Sequence, residues 1–168
     1  NASIDNCSVA SLSLDITDFD CSNVGPNTVI LTVTDVNGNV STCPATVTVE
    51  DIIDPTAICQ DITVQLDGSG NVSITPNDID NGSFDNCNVA SLSLDIDAFD
   101  CSNVGPNTVI LTVTDVNGNV STCPATVTVE DIIDPTAICQ DITVQLDGSG
   151  NVSITPNDID NGSFDNCS

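Results

Sequence analysis

Residues 109–129 read VILTVTDVNGNVSTCPATVTV. Val109, Leu111 and Val113 recur at every second position. Asn117-Gly118 follows them, and a second alternating run extends from Val120 to Val129. Period-two hydrophobicity places alternate side chains on opposite faces of a strand. An Asn-Gly step between two such runs is a strong local signal for a β-hairpin. The stretch therefore predicts two antiparallel strands joined by a tight turn.

Working outward, the same grammar continues. Thr56–Leu66 predicts a strand with Ile58, Ile62, Val64 and Leu66 on one face, and Asp67–Asn71 a turn. Val72–Thr75 predicts a second strand, stopped by Pro76. An acidic loop, 77–86, follows. Ala90, Leu92, Leu94 and Ile96 alternate as a half-buried strand, and Phe99–Cys101 is a short strand or bend. No stretch shows a 3.6-residue period. Six or seven short strands in some 80 residues predict an all-β sandwich or barrel.

The hairpin also occurs at 29–49, 80 residues earlier. Residues 1–88 laid on 81–168 differ at six positions: 2, 4, 8, 17, 18 and 88. That period is too long for most solenoid units and suits a small domain repeated in tandem. Glu50–Pro55, repeated at Glu130–Pro135, punctuates the repeat as a linker. One complete unit is then 54–133, with 1–53 the C-terminal part of the unit before and 134–168 the N-terminal part of the next. The chain is expected to be a window cut from a longer array in a secreted protein. Such a window also accounts for an odd number of cysteines, nine. A free thiol or an intermolecular bridge is the alternative.

The chain holds 25 acidic residues and no Lys, Arg or His, a formal charge of −25. Nucleic-acid binding lacks the cations that neutralise phosphates, and an anionic membrane surface would repel the chain. There is no imidazole base, no amine nucleophile and no basic partner for a Ser or Cys nucleophile. An Asp78/Asp80 acid–base couple would need a cleft that so small a sandwich scarcely provides. No enzyme is expected, and no catalytic residue is assigned. Composition does not point to disorder, because 39% of the residues are hydrophobic and the mean hydropathy is +0.16. Cysteine density points to an oxidising compartment and an extracellular or cell-surface location. No apolar run is long enough to span a bilayer.

Three segments carry a further resemblance: DPTAICQ at 54–60, DNC at 85–87 and TDVNGNVSTC at 114–123. With the intervening sequence they resemble the hyalin-repeat-like, immunoglobulin-like tandem repeats of giant secreted surface proteins of Bacteroidetes-type bacteria. The resemblance covers the whole chain. It implies tandem immunoglobulin-like β-sandwich domains serving as stalks or adhesins, with neighbouring copies of the repeat as partners. It implies neither catalysis nor a particular ligand. In such sandwiches the first and last strands can lie side by side, so Cys59–Cys123 is expected. Cys87–Cys101 is expected across the bend after the Ala90–Ile96 strand, and Cys7–Cys21 likewise one repeat earlier. Cys43, Cys139 and Cys167 are then left unpaired. Cys43–Cys59 with Cys123–Cys139, crossing the linkers, is the rival. A zinc site is disfavoured without His or a CxxC pair.

The unit 54–133 carries twelve carboxylates and no counter-charge. Solvated turns are one reading, since Asp and Asn accept hydrogen bonds from nearby backbone. Ca²⁺ is the other, because it takes six to eight oxygen ligands. Candidate ligands are Asp35, Asn37 and Asn39; Glu50, Asp51 and Asp54; Asp78, Asp80 and Asp85; Asp115, Asn117 and Asn119; Glu130, Asp131 and Asp134; and Asp158 and Asp160. Asp115-x-Asn117-x-Asn119 opens like an EF-hand loop, but its Gly comes too early and no Glu closes it, so it is kept as a hairpin turn. The entry linker, the acidic loop and the 115–119 turn are expected to share one end of the unit. There, Glu50, Asp51 and Asp54 would face Asp78, Asp80, Asp85, Asp115 and Asn119. The expected function is a structural segment of an extracellular fibre or adhesin stalk. The alternative is an adhesive module that uses outward Thr pairs such as Thr112/Thr114 and Thr126/Thr128 to bind glycan, mineral or another surface ligand.

Overall fold

A computed structural model describes residues 8–167. The predicted hairpin is its longest element: β8 (Gly105–Asp115) pairs antiparallel with β9 (Val120–Glu130) over ten residue pairs. β6 (Val89–Leu94) adds antiparallel to the far edge of β8. β4 (Ile62–Gln65) adds parallel to β9. The resulting four-stranded sheet runs β4-β9-β8-β6. β5 (Asn71–Ser73) and β7 (Ala98–Asp100) form a separate two-stranded antiparallel sheet.

The alternating pattern decides which face is covered. Val109, Leu111 and Val113 of β8 and Ala125, Val127 and Val129 of β9 point inward. They pack against Leu66, Ile74, Ile79 and Phe99, which belong to or flank the small sheet and the acidic loop. The intervening Thr residues lie on the other face, where β-branched side chains fit a pleated surface.

Residues 8–53 repeat half of this arrangement as a three-stranded sheet: β1 (Val9–Leu14), β2 (Gly25–Asp35) and β3 (Val40–Val49). Its registers match those of β6, β8 and β9 residue for residue at an offset of 80. Residues 134–167 repeat the bridges formed within 54–87. Thr136↔Phe164 and Cys139↔Asp160 mirror Thr56↔Phe84 and Cys59↔Asp80.

Two local readings change. The strand expected over Thr56–Leu66 is regular only at Ile62–Gln65, with isolated bridges at Thr56 and Cys59. The acidic loop holds one helical turn, α1 (Pro76–Ile79), and its copy α2 (Pro156–Ile159). Thr75 caps α1 through Asp78, whose Oδ2 accepts from the Thr75 N–H and hydroxyl, and Pro76 stands at the first helical position. Four residues are too few to show a helical period, but Thr75-Pro76-Asn77-Asp78 carries the capping signal.

The cysteine pairing is corrected. Cys59 bonds Cys123, joining the region before β4 to β9. Cys87 bonds Cys21, not Cys101, and Cys101 bonds Cys167. Cys87 precedes β6 near the 115–119 turn, whereas Cys101 precedes β8 at the other end of the sheet. The eleven residues of β8 hold those ends about 35 Å apart, far beyond the Cα separation of about 7 Å that a disulfide tolerates. Cys21 is therefore not available to Cys7, which lies outside the described residues. Cys167 is bonded, not free, while Cys43 and Cys139 are free and exposed. The rival Cys43–Cys59 and Cys123–Cys139 pairs are not formed. A linker is nonetheless crossed, since Cys21–Cys87 and Cys101–Cys167 each join residues on either side of one.

Candidate cation site at the linker

Asp51, Asp85 and Asp115 come from three separate segments. Asp51 follows β3 in the Glu50–Pro55 linker, Asp85 closes the acidic loop, and Asp115 ends β8. One carboxylate oxygen of each lies within 4.8 Å of the others.

Local bonds orient each carboxylate. Asp115 is only 2% exposed. Its Oδ1 accepts the backbone N–H groups of Asn117 and Asn119, each at 2.8 Å, and its Oδ2 accepts Asn119 Nδ2, also at 2.8 Å. Burial pushes its pKa up, but the Asn119 amide and the surrounding backbone N–H donors outweigh that and hold it below the ordinary 3.8. Asn119 Nδ2 also reaches the Asp51 carbonyl at 3.2 Å, tying the turn to the linker. Asp51 Oδ1 accepts the Ile53 N–H at 3.1 Å and lies 3.4 Å from Asn86 Nδ2. Asp85 Oδ2 accepts the Cys87 N–H at 2.8 Å. The other oxygens, Asp51 Oδ2 and Asp85 Oδ1, are buried without a hydrogen-bond partner.

Two buried, unsatisfied carboxylate oxygens beside a third carboxylate are costly without a counter-charge. The donor set is all oxygen, with no nitrogen or sulfur ligand, and suits a hard divalent cation. The Cys21–Cys87 disulfide lies beside it, with Cys87 two residues from Asp85. A shallow groove lined by Val24, Val49, Glu50, Asp51, Ile52 and Asn117 opens next to it.

Of the residues expected at this end, Asp51, Asp85 and Asp115 meet, and Asn119 braces them. Glu50 lines the groove but is exposed, and Asp54 is exposed and outside the triad. Asp78 is engaged by Thr75. Asp80 accepts from Gly82 and Ser83 at 3.2 and 3.0 Å. Those bonds lower both pKa values, for Asp80 against the opposing effect of burial. Asp158 and Asp160 repeat these roles at α2. Asp35, Asn37 and Asn39 form the copy of the 115–119 turn.

At the second linker Asp131 accepts from Ile133 and from Asn166 Nδ2, both at 3.2 Å, and Asp165 accepts the Cys167 N–H. Glu130 and Asp134 are exposed there. Asp165 was absent from the candidate ligands, although the 80-residue offset from Asp85 identifies it. Asn86 and Asn166 were also missed, because nothing local distinguishes them from other turn asparagines.

No protein-family model and no curated protein matches the chain. Among solved structures, an endo-fucoidan hydrolase from glycoside hydrolase family 107 aligns with 75% of this chain at 17% identity and a TM-score of 0.28. The chain spans 23% of that structure. A likeness so slight bears on neither fold nor chemistry.

Proposed function

We propose that this chain is a structural segment of a long extracellular fibre or adhesin stalk. Its units are immunoglobulin-like sandwiches, complete at 54–133, with the C-terminal part of the preceding unit at 1–53 and the N-terminal part of the next at 134–168, non-enzymatic and joined in tandem, with Ca²⁺ and disulfides stiffening each linker. The observation that carries this reading is one juxtaposition: the Cys21–Cys87 bond and the Asp51/Asp85/Asp115 cluster sit together where two repeats meet. A linker that only tethered two domains would need neither a covalent staple nor three converging carboxylates.

Asp51 would hold the cation from the linker, and Asp85 and Asp115 from the following unit. Bound Ca²⁺ would supply the positive charge that the sequence lacks and oppose separation of the two sides. Three disulfides fit an oxidising, extracellular setting. No helix among the described residues is long and apolar enough to cross a membrane.

Calorimetry tests this. A ligand at a hundred times its Kd adds about 2.7 kcal/mol of stability. Calcium should therefore raise the melting temperature by several degrees, excess EDTA should reverse the rise, and Asp85→Asn should remove most of it. A melting temperature indifferent to calcium and EDTA would rule out the cation.

A further inference from the structure

Two of the disulfides change which part of the backbone can carry a pull along the chain. Cys21–Cys87 and Cys101–Cys167 each close a loop with a sequence separation of 66. Their bonded Cα atoms are only 5.3 and 5.2 Å apart. The backbone of either loop could span about 230 Å at ~3.5 Å per residue. A pull that reaches residue 21 therefore crosses the sulfur bridge to residue 87, and the loop between them stays slack. The same holds between residues 101 and 167. From Cys87 to Cys101 the chain advances only fourteen residues.

We propose that tension along this chain is carried by residues 87–101 and the disulfides at their two ends, while the loops 21–87 and 101–167 bear none once those bridges are taut. The loaded segment holds β6 and β7. β6 lies antiparallel along β8, so a pull on its ends loads the inter-strand hydrogen bonds together, in shear. The long hairpin of β8 and β9 lies inside the second loop, and Leu66, Ile74 and Ile79 of the core lie inside the first. The Glu50–Pro55 linker is also within the first loop. Asp51 and Asp85 are in the first loop and Asp115 in the second, so the carboxylate cluster stands off the loaded route. Cys59–Cys123 ties the two loops to each other and offers only a longer detour.

The route is nearly taut in the folded unit. The two bridges stand at opposite ends of the sheet, about 35 Å apart along the eleven residues of β8. Fourteen residues reach about 50 Å at most. Complete unfolding would then lengthen the unit by about 15 Å, whereas an unbridged repeat of 80 residues would gain roughly 240 Å. Disulfides placed in this way make a tandem chain almost inextensible whatever the stability of its cores. The proposal deepens the stalk reading, on which its biological use rests. The covalent route itself depends on neither the stalk nor calcium.

The test stretches the 168-residue chain between peptide handles at its termini in an optical trap. Cys43 and Cys139 are first capped with iodoacetamide, so that their thiols do not attack the bridges. The oxidised chain should stop at about 130 Å, and excess tris(2-carboxyethyl)phosphine should release it to about 580 Å. Cys21→Ser with Cys87→Ser should extend the oxidised limit by about 160 Å, because the shortest route then detours through Cys59–Cys123. Cys59→Ser with Cys123→Ser should leave the limit unchanged. These limits follow from covalent connection, so they hold whether or not a variant keeps its fold. An oxidised parent that stretches well beyond 130 Å, or a Cys59/Cys123 double variant that stretches further than the parent, would overturn the proposal. The limits should be the same in calcium and in EDTA, so failure of the route and failure of the cation are read separately.

Discussion

Gly70 and Gly150 occupy the same position in successive repeats and share a left-handed backbone, with φ of 74° and 76°. Their surroundings differ. A methyl group on Gly70 would lie 2.5 Å from Cys101 Sγ and 2.7 Å from the Asn166 carbonyl oxygen, whereas one on Gly150 would meet nothing within 4 Å. Both Ala substitutions carry the same φ strain, so their difference isolates the contact at the second linker. Gly70→Ala should destabilise the chain by about 1–3 kcal/mol more than Gly150→Ala, the usual range for overpacking. Equal melting temperatures for the two variants would mean that the turn does not support the Cys101–Cys167 staple. At this scale the sequence is only half informative. It shows both glycines in identical Asp-Gly-Ser-Gly-Asn turns, but not that one turn is pressed against residue 166, 96 positions away.

The turns and the hairpin explain where most of the acid is used. Asp67, Asp100 and Asp115 each accept the N–H two residues on, and Asp67 and Asp115 also accept the one four residues on. Their folded pKa values lie below the ordinary 3.8. A depressed carboxyl contributes stability fully above its unfolded pKa and loses it as pH falls through its folded value. Without divalent cations, stability should therefore fall as pH drops below about 3.8, and pH titration followed by circular dichroism measures it. A protein whose stability rose through that range would show that relief of charge repulsion outweighs the loss of these turn bonds. The hairpin, its Asx turn and the alternation of Leu92 and Leu94 in β6 were legible because each depends on neighbouring residues, but a bulge between Val89 and Ser91 sets Val89 rather than Ala90 against the core and Ile96 lies exposed beyond the strand. The shortness of β4 was not legible, because its pairing partner is β9, some 65 residues away.

Across the whole molecule, the disulfides divide by role. Cys59–Cys123 closes a loop within the complete unit, with a sequence separation of 64. A loop of that size confers about 4 kcal/mol in the chain-entropy model. Cys59→Ser with Cys123→Ser should lower the unfolding free energy of the unit by up to that amount in urea titrations, leaving Cys21–Cys87 and Cys101–Cys167 intact on peptide mapping. A double variant as stable as the parent would remove Cys59–Cys123 from the stabilising interactions.

The 80-residue repeat, the all-β character, the hairpin and the gathering of carboxylates near the linkers were determined by the sequence itself, since each follows from local pattern or simple periodicity. Asp51, Asp85 and Asp115 were among the residues that this reasoning put at one end. Only the tertiary structure decided that these three meet while Asp54, Asp78 and Asp80 stay apart, and that Cys87 reaches back to Cys21 rather than forward to Cys101. Both outcomes depend on which ends of extended strands come together. An eleven-residue strand carries its two ends to opposite sides of the unit, so closeness along the chain says little about closeness in space.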